Sequence, residues 1–253
     1  MQGWHMTKIL LYKQQLLETL GPLQDTSVLD YGCGKGDLIK LLLEMNPQPK
    51  LIYVADSSLD MLEQVKVDFA EVIVQGIVIP KLCQTPSDLS GLKFDKIICH
   101  NVLECVPNKI TFINAFADIL AKNGTLIISH IDFDSVIYNS SYKELTRALV
   151  YNFADTQQAW QEHSDGQIGR KIPGLVAASA FKDRTKCETW RRVEQEFKPG
   201  NYGFLMAEMI AQIAKNSYDP KELELWLNDL TQKDKNQEYY FAVDLNVALI
   251  QGD

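Results

Sequence analysis

The sequence predicts an α/β fold: a doubly wound, seven-stranded, mostly parallel sheet with an antiparallel last strand and helical lid insertions. Three observations lead there. In the first half, short β-branched runs alternate with segments of helical apolar spacing, as strand–helix–strand units around a parallel sheet require. A glycine-rich turn, Gly32-Cys33-Gly34-Lys35-Gly36, follows the first of these strands and opens a helix. From Tyr239 to Ile250 apolar residues (Phe241, Val243, Leu245, Val247, Leu249) alternate with polar ones such as Asp244 and Asn246. That pattern suits an antiparallel edge strand better than a buried parallel one.

Taken in order, residues 7–20 carry a helical stripe (Ile9, Leu10, Leu16, Leu17, Leu20) that Gly21-Pro22 ends. Ser27–Tyr31 reads as a buried strand, and Leu38, Ile39, Leu42 and Leu43 mark a helix stopped near Asn46-Pro47. Leu51–Ala55 is a second strand. Ser57-Ser58-Leu59-Asp60 fits a capping box for a helix running to about Phe69. A third strand falls within 77–82, a fourth at Lys96–Cys99 and a fifth at Thr125–Ser129, the last two separated by a helix over 109–121. Residues 137–162 read as helical and aromatic, 170–180 as a short helix, 185–197 as a strand, and 203–215 and 221–231 as helices. No stretch marks a clean linker. The expected organisation is therefore a single domain over 1–253: an N-terminal helix covering the site (1–24), a cofactor-binding core (25–131), a helical substrate lid (132–184), and C-terminal strands with a helical insertion (185–253).

Composition narrows the partners. Hydrophobic residues make up 46% and charged ones 23%, as in an ordinary globular chain. With 25 basic against 33 acidic residues the net charge is −8, so no global positive field holds a phosphate backbone and nucleic acid is a poor partner. No run of about 18 apolar residues suggests a membrane span, and the N-terminus lacks the basic-then-apolar layout of a secretory signal. Five cysteines without a C-x-x-C pair read as reduced thiols, implying a cytoplasmic location and no zinc site. The oligomeric state is not legible.

The glycine turn carries the chemistry. Its spacing is G-x-G-x-G, neither the G-x-G-x-x-G of a dinucleotide site nor a P-loop. Asp30 stands just before the glycines, where it repels an anion and welcomes an ammonium. Asp56 ends the second strand, 20 residues beyond Gly36, where a carboxylate can accept hydrogen bonds from two ribose hydroxyls. The residues ask for a nucleoside carrying a cation and no pyrophosphate.

Val28–Gly36, Ala55-Asp56-Ser57, Phe94–Ile98 with Asn101-Val102-Leu103-Glu104, and Asn123–Ile128 together resemble class I S-adenosylmethionine-dependent methyltransferases. The likeness covers residues 25–130 and points to the ubiquinone/menaquinone-type, small-molecule branch with its Rossmann-like fold. The resemblance implies S-adenosyl-L-methionine as cofactor. It gives Asp30 the loop and the methionine ammonium, places Gly32, Cys33, Gly34 and Gly36 along the methionine part, Asp56 on the ribose and Ser57 beside the adenine. His100, Asn101 and Val102 line the cofactor. The acidic residue that the family often carries after strand three is missing; Gln84 with Thr85 is the placement there, and Asp88 is its rival.

Methyl transfer from a sulfonium is an in-line displacement, so alignment matters most, with a base needed only for a protonated acceptor. His130, at the end of strand five, is the first candidate base and His100 the second, against the plain reading of His130 as a histidine satisfying local backbone and of His100 as a residue that lines the cofactor. Tyr12, Tyr138, Tyr142, Trp160 and Arg170 are candidate substrate contacts, although most of these aromatics can equally be core and Arg170 can cap a neighbouring helix. Neither Asn-Pro-Pro-Tyr nor Asp-Pro-Pro-Tyr follows strand four, which lowers adenine or glutamine amino groups as acceptors, and no metal motif is present. The expected activity is methylation of oxygen or nitrogen on a small, partly apolar or aromatic metabolite in biosynthesis. The alternatives are a protein or tRNA methyltransferase, or a non-catalytic methyltransferase-fold binding partner.

Overall fold

The computed structural model describes residues 11–158, 161 and 163–253. Seven strands form one sheet: β1 (Ser27–Tyr31), β2 (Leu51–Asp56), β3 (Val78–Leu82), β4 (Phe94–His100), β5 (Leu120–Tyr138), β6 (Thr185–Glu194) and β7 (Phe241–Gln251), in the order β3-β2-β1-β4-β5-β7-β6. β1 pairs in parallel with both β2 and β4, β2 with β3, and β4 with β5. Winding proceeds outward one way from β1 through β3 and the other way from β4. The crevice beyond the carboxyl ends of β1 and β4 is therefore a topological switch point, where ligands of open parallel sheets bind.

β7 runs against the other strands of the sheet. Gly252 N donates to Gly124 O, Asn123 N to Asp253 O and Asn139 N to Tyr240 O, so numbering falls along β7 as it rises along β5. Side-chain pairs Thr189–Asn246 and Arg191–Asp244 show the same opposition between β6 and β7. The expected antiparallel last strand is present, but it is not the edge. β6 takes that place, and β7 is buried on both faces because its second face carries Ala242 and Ala248, small enough to pack, and Asn246, whose Oδ1 accepts from Thr189 Oγ1.

Helices join the strands: α1 (Leu11–Thr19), α2 (Asp37–Glu44), α3 (Leu59–Asp68), α4 (Ala70–Val74), α5 (Lys109–Ala115), α6 (Lys143–Asp155), α7 (Ile168–Ala177), α8 (Tyr202–Ala214) and α9 (Pro220–Lys235). Ser58 caps α3, its Oγ accepting from Met61 N at 3.4 Å, so the cap falls one residue later than the Ser57–Asp60 box. α4 occupies the β-branched stretch before β3 that local pattern left open. α5 is shorter than expected, giving way at Phe116 to a tight turn that leads into β5.

β5 is the largest departure. It runs on to Tyr138, so the segment expected as a helical lid from residue 132 begins as strand. Asp132 and Asp134 interrupt the apolar pattern there. Arg170 neutralises them, its Nη2 reaching Asp132 Oδ1 at 2.9 Å and its Nη1 Asp134 Oδ2 at 2.9 Å. A partner 38 residues away leaves no local trace in the sequence.

The chain forms two compact units. One comprises residues 12–130, 171–188 and 247–253. Its core is built on β1 and β4, with Val28, Leu29, Ile97 and Ile98 fully buried, and on an edge-to-face cluster of Tyr31, Phe112 and Phe116 with centroids 5.4 Å apart. Of the described residues, the other comprises 11, 131–158, 161, 163–170 and 189–246. Its centre is Trp226, fully buried, edge-on to Tyr138 and donating from Nε1 to Thr146 Oγ1 at 3.0 Å. Among the described residues no helix is long and apolar enough to cross a membrane.

Trp226→Ala removes a buried indole and the donor to Thr146 Oγ1, which keeps its own bond to Tyr142 O. It should cost about 3–5 kcal/mol, read as a lowered denaturation midpoint in urea.

Candidate functional site

The site grows from the turn between β1 and α2. Gly32 N and Cys33 N both donate to Ala55 O, at 2.7 and 3.0 Å, and Gly34 N donates to Asp56 Oδ2 at 2.9 Å. The other oxygen of Asp56 accepts from Ser58 N at 2.9 Å. The end of β2 thus clamps the turn. Gly32 has φ +78, and a Cβ there would stand 2.2 Å from Val102 Cγ2; no other residue fits. Gly34, with φ +52, meets nothing within 4 Å on its Cβ side, so its backbone faces space that a ligand can enter.

That space is a cleft of about 280 Å³, at the small end of the about 300–1,000 Å³ usual for ligand sites. It is lined by Asp30, the Gly32–Lys35 turn, His100 and Asn101 among others. Asn101 sits at φ +56, a conformation that asparagine tolerates better than most residues, and its N–H donates to Ser129 O at 2.9 Å.

Asp30 is 2% exposed, and its Oδ2 has no hydrogen-bond partner among the described residues. Burial pushes its carboxyl up to about 7; Lys13 opposes this, while Asp56 and Asp37 add to it. A buried acceptor without a donor costs about 1–3 kcal/mol, more when charged, and a cationic ligand relieves that cost.

Lys13, on α1, completes the lining, with its Nζ 2.8 Å from Asp37 Oδ2. Burial acts to raise the Asp37 carboxyl, but Lys13, with Lys40 and Lys35 adding to its effect, holds the group below its ordinary value. Sequence reasoning missed both residues. Lys13 lies on the polar face of an unremarkable helix, and only the docking of that helix brings it to the glycine turn.

His130 is fully buried and is not among the residues that line the cleft. His100 lines the cleft, with its Nδ1 2.9 Å from Ser129 Oγ. Burial, then the nearby Lys13 and His130, lower its pKa well below 6.5, so its ring is neutral at pH 7. Burial pushes the Cys33 thiol upward, with Asp30 and Asp56 adding to the effect, which makes it a loop residue rather than a thiolate.

Beyond Asp56, Gln84 Nε2 donates to Ser57 O at 3.2 Å. Asp88 is spent on the following turn, its Oδ2 accepting from Gln84 N and Thr85 N at 2.8 and 2.9 Å. Of the two rivals after β3, Gln84 is the one beside Ser57.

The expected substrate contacts fare differently. Tyr138 is core: it is buried against Trp226 and Phe241, and its hydroxyl donates to Gly203 O at 2.8 Å. Tyr142 is exposed and precedes the first residue of α6. Arg170 is engaged by Asp132 and Asp134, so an acidic group on an acceptor would have to compete with both. Trp160 and the side chain of Tyr12 lie outside the described residues.

Residues 23–201 match the family described as a methyltransferase domain. The chain belongs to that family. The likeness read from Val28–Gly36 and Ala55–Ser57 is thereby borne out. Among curated relatives of this methyltransferase-domain chain, the ubiquinone biosynthesis O-methyltransferase of Histophilus somni (strain 2336) is 28% identical over 123 residues, 47% of this chain and 50% of that protein. The chain spans about half the length of the curated relatives it matches. Solved structures share the fold at low identity. The cyclopropane synthase MmaA2 of Mycobacterium tuberculosis aligns with TM-score 0.56 and 15% identity, covering 98% of this chain and 87% of its own. Coclaurine N-methyltransferase bound to N-methylheliamine and SAH aligns with TM-score 0.52 and 13% identity, covering 94% and 71%.

Gly32→Ala tests the turn. The clash and the left-handed φ should together cost about 2–5 kcal/mol, from an overpacking cost of roughly 1–3 and a backbone cost of roughly 1–2. Adding Val102→Ala leaves only ordinary contact, so the double variant should recover the steric share and keep the backbone share. A calorimetric melt of the four proteins gives the answer, and additive losses would contradict the clash.

Proposed function

We propose that this methyltransferase-domain chain is an S-adenosyl-L-methionine-dependent enzyme that methylates oxygen or nitrogen on a small, partly apolar or aromatic molecule. The observation that carries the reading is Asp30: a buried carboxylate with a bare oxygen, at the switch point, beside a glycine turn open at Gly34. An ammonium is the group that such a carboxylate lacks. The residues fit the cofactor's other parts as well. Asp56 Oδ1 and Oδ2 each accept one backbone N–H, which leaves each oxygen a second lone pair for a ribose hydroxyl. Ser57 and Gln84 lie beyond Asp56 on the side where the base would rest. The bound cofactor would supply an electrophilic methyl group on a sulfonium.

The chain's own part is positional. Clamping of the turn by Ala55 and Asp56 presents preset backbone groups, so little ordering is left for the binding step. Holding donor and acceptor in line can supply about 7–11 kcal/mol. His100 lines the cleft and is neutral; with its lowered pKa it is a weak base. The relatives named as O-methyltransferases favour oxygen, and a neighbour in fold named as an N-methyltransferase keeps nitrogen in view. The net charge of −8 disfavours tRNA.

Two outcomes follow. Affinity for S-adenosylhomocysteine, measured by calorimetry, should be level between pH 7 and 8 and fall toward tenfold per unit below about pH 7. There Asp30 holds a proton in the free protein that a bound ammonium must expel. Asp30→Asn should weaken binding and flatten this dependence; a profile that stays pH-independent in the unaltered protein contradicts the assignment. Asp56→Ala should weaken binding at least tenfold, a loss of about 1.4 kcal/mol or more, and unchanged affinity in the folded variant removes the ribose role.

A further inference from the structure

Two strands end the sheet, β3 on one side and β6 on the other. A sheet edge presents backbone N–H and C=O groups that another strand can pair with, and proteins blunt such edges with short strands and proline. β3 follows that rule: it has 5 residues and carries Pro80, which has no N–H to offer. β6 does not. It runs for 10 residues, Thr185–Glu194, without proline or glycine. Among the described residues no strand pairs with its outer side. Lys186, Cys187, Glu188, Thr189, Arg191 and Val193 are exposed, so side chains of both faces reach solvent.

Charge on an edge strand normally repels a second strand. On one face of β6 it alternates in sign: Lys186 and Glu188, then Arg192 and Glu194 beyond Trp190. Two copies of one strand related by a two-fold axis run antiparallel, and residues that face each other lie on the same side of the sheet. The allowed registers are therefore those centred on a residue. Centred on Trp190, Lys186 faces Glu194 and Glu188 faces Arg192, each pair occurring twice by symmetry, and on the other face Cys187 meets Val193. Centred on Thr189, Lys186 would face Arg192. Centred on Arg191, that residue would face its own copy and Glu188 would face Glu194. One register is attractive along the charged face, and the registers on either side of it are repulsive.

The ion pairs within the strand suit that register. Lys186 Nζ lies 2.6 Å from Glu188 Oε1, and Arg192 Nη2 lies 2.6 Å from Glu194 Oε1. Across the two-fold axis these pairs lie head to tail, so neither has to break for the opposing charges to attract.

We propose that the outer edge of β6 is a dimer interface, pairing antiparallel with β6 of a second copy of this chain in the register centred on Trp190. The inference stands apart from the cofactor reading.

Exchanging the two outer charges, Lys186→Glu with Glu188→Lys, is the test. Both side chains are exposed, and the exchange keeps the composition and the ion pair within the strand, so the circular dichroism spectrum should not change. Across the interface, like charges would face each other at both positions. Sedimentation velocity over a concentration series should show the unaltered protein as a dimer and the exchanged variant with a dissociation constant at least about tenfold higher. Val193→Cys tests the register. With oxidised glutathione it should give a dimer linked through Cys187 on a non-reducing gel, and adding Cys187→Ser should abolish the link. An unaltered protein still monomeric at about 100 μM would overturn the proposal. So would a dimer that the exchange leaves intact, or a link that fails to form or persists without Cys187.

Discussion

The carbonyl oxygen of Ala55 accepts two backbone N–H groups from the turn after β1, and Asp56 takes a third from Gly34. Those three bonds hold a segment that glycine otherwise makes among the most costly to order. They also explain why the turn and the end of β2 work as one object. A carboxylate at Asp56 is structural before it is a binding group, and the open side of Gly34 exists because the other side of the turn is tied down.

Asp30 stands at the opposite extreme. Its pKa, about 7 in the folded chain against an ordinary 3.8, means that the folded state holds a proton more tightly than the unfolded one. Its contribution to stability therefore falls as pH rises between those values and is unfavourable above them. A core designed for stability alone would place an asparagine or an apolar residue there. Buried charge of this kind, in a cleft and with a named set of neighbours, marks functional sites more often than packing. The same low-dielectric setting keeps His100 neutral and the Cys33 thiol protonated, leaving Asp30 as the group in the cleft whose charge is balanced near neutral pH.

Lys13 and Arg170 show two uses of a basic side chain. Arg170 bridges two aspartates of β5 and lets the strand continue through positions that break its apolar pattern. Lys13 meets a carboxylate that is half in water.

Local periodicity and residue chemistry determined the order of the strands and helices, the glycine turn, and the two carboxylates that follow the first two strands. Those features are short in range: a strand, its turn and the next helix span few residues, and their spacing is written directly into the chain. Tertiary structure alone decided the rest. It extended β5 by pairing Asp132 and Asp134 with a distant arginine, put β7 inside the sheet by covering it with β6, and turned Tyr138 into core beneath Trp226. It also placed His100 in the cleft lining and His130 outside it, and brought Lys13 to Asp37 across 24 residues. Each of these depends on what packs against a residue from elsewhere in the chain, and burial is a property of that neighbour as much as of the residue itself.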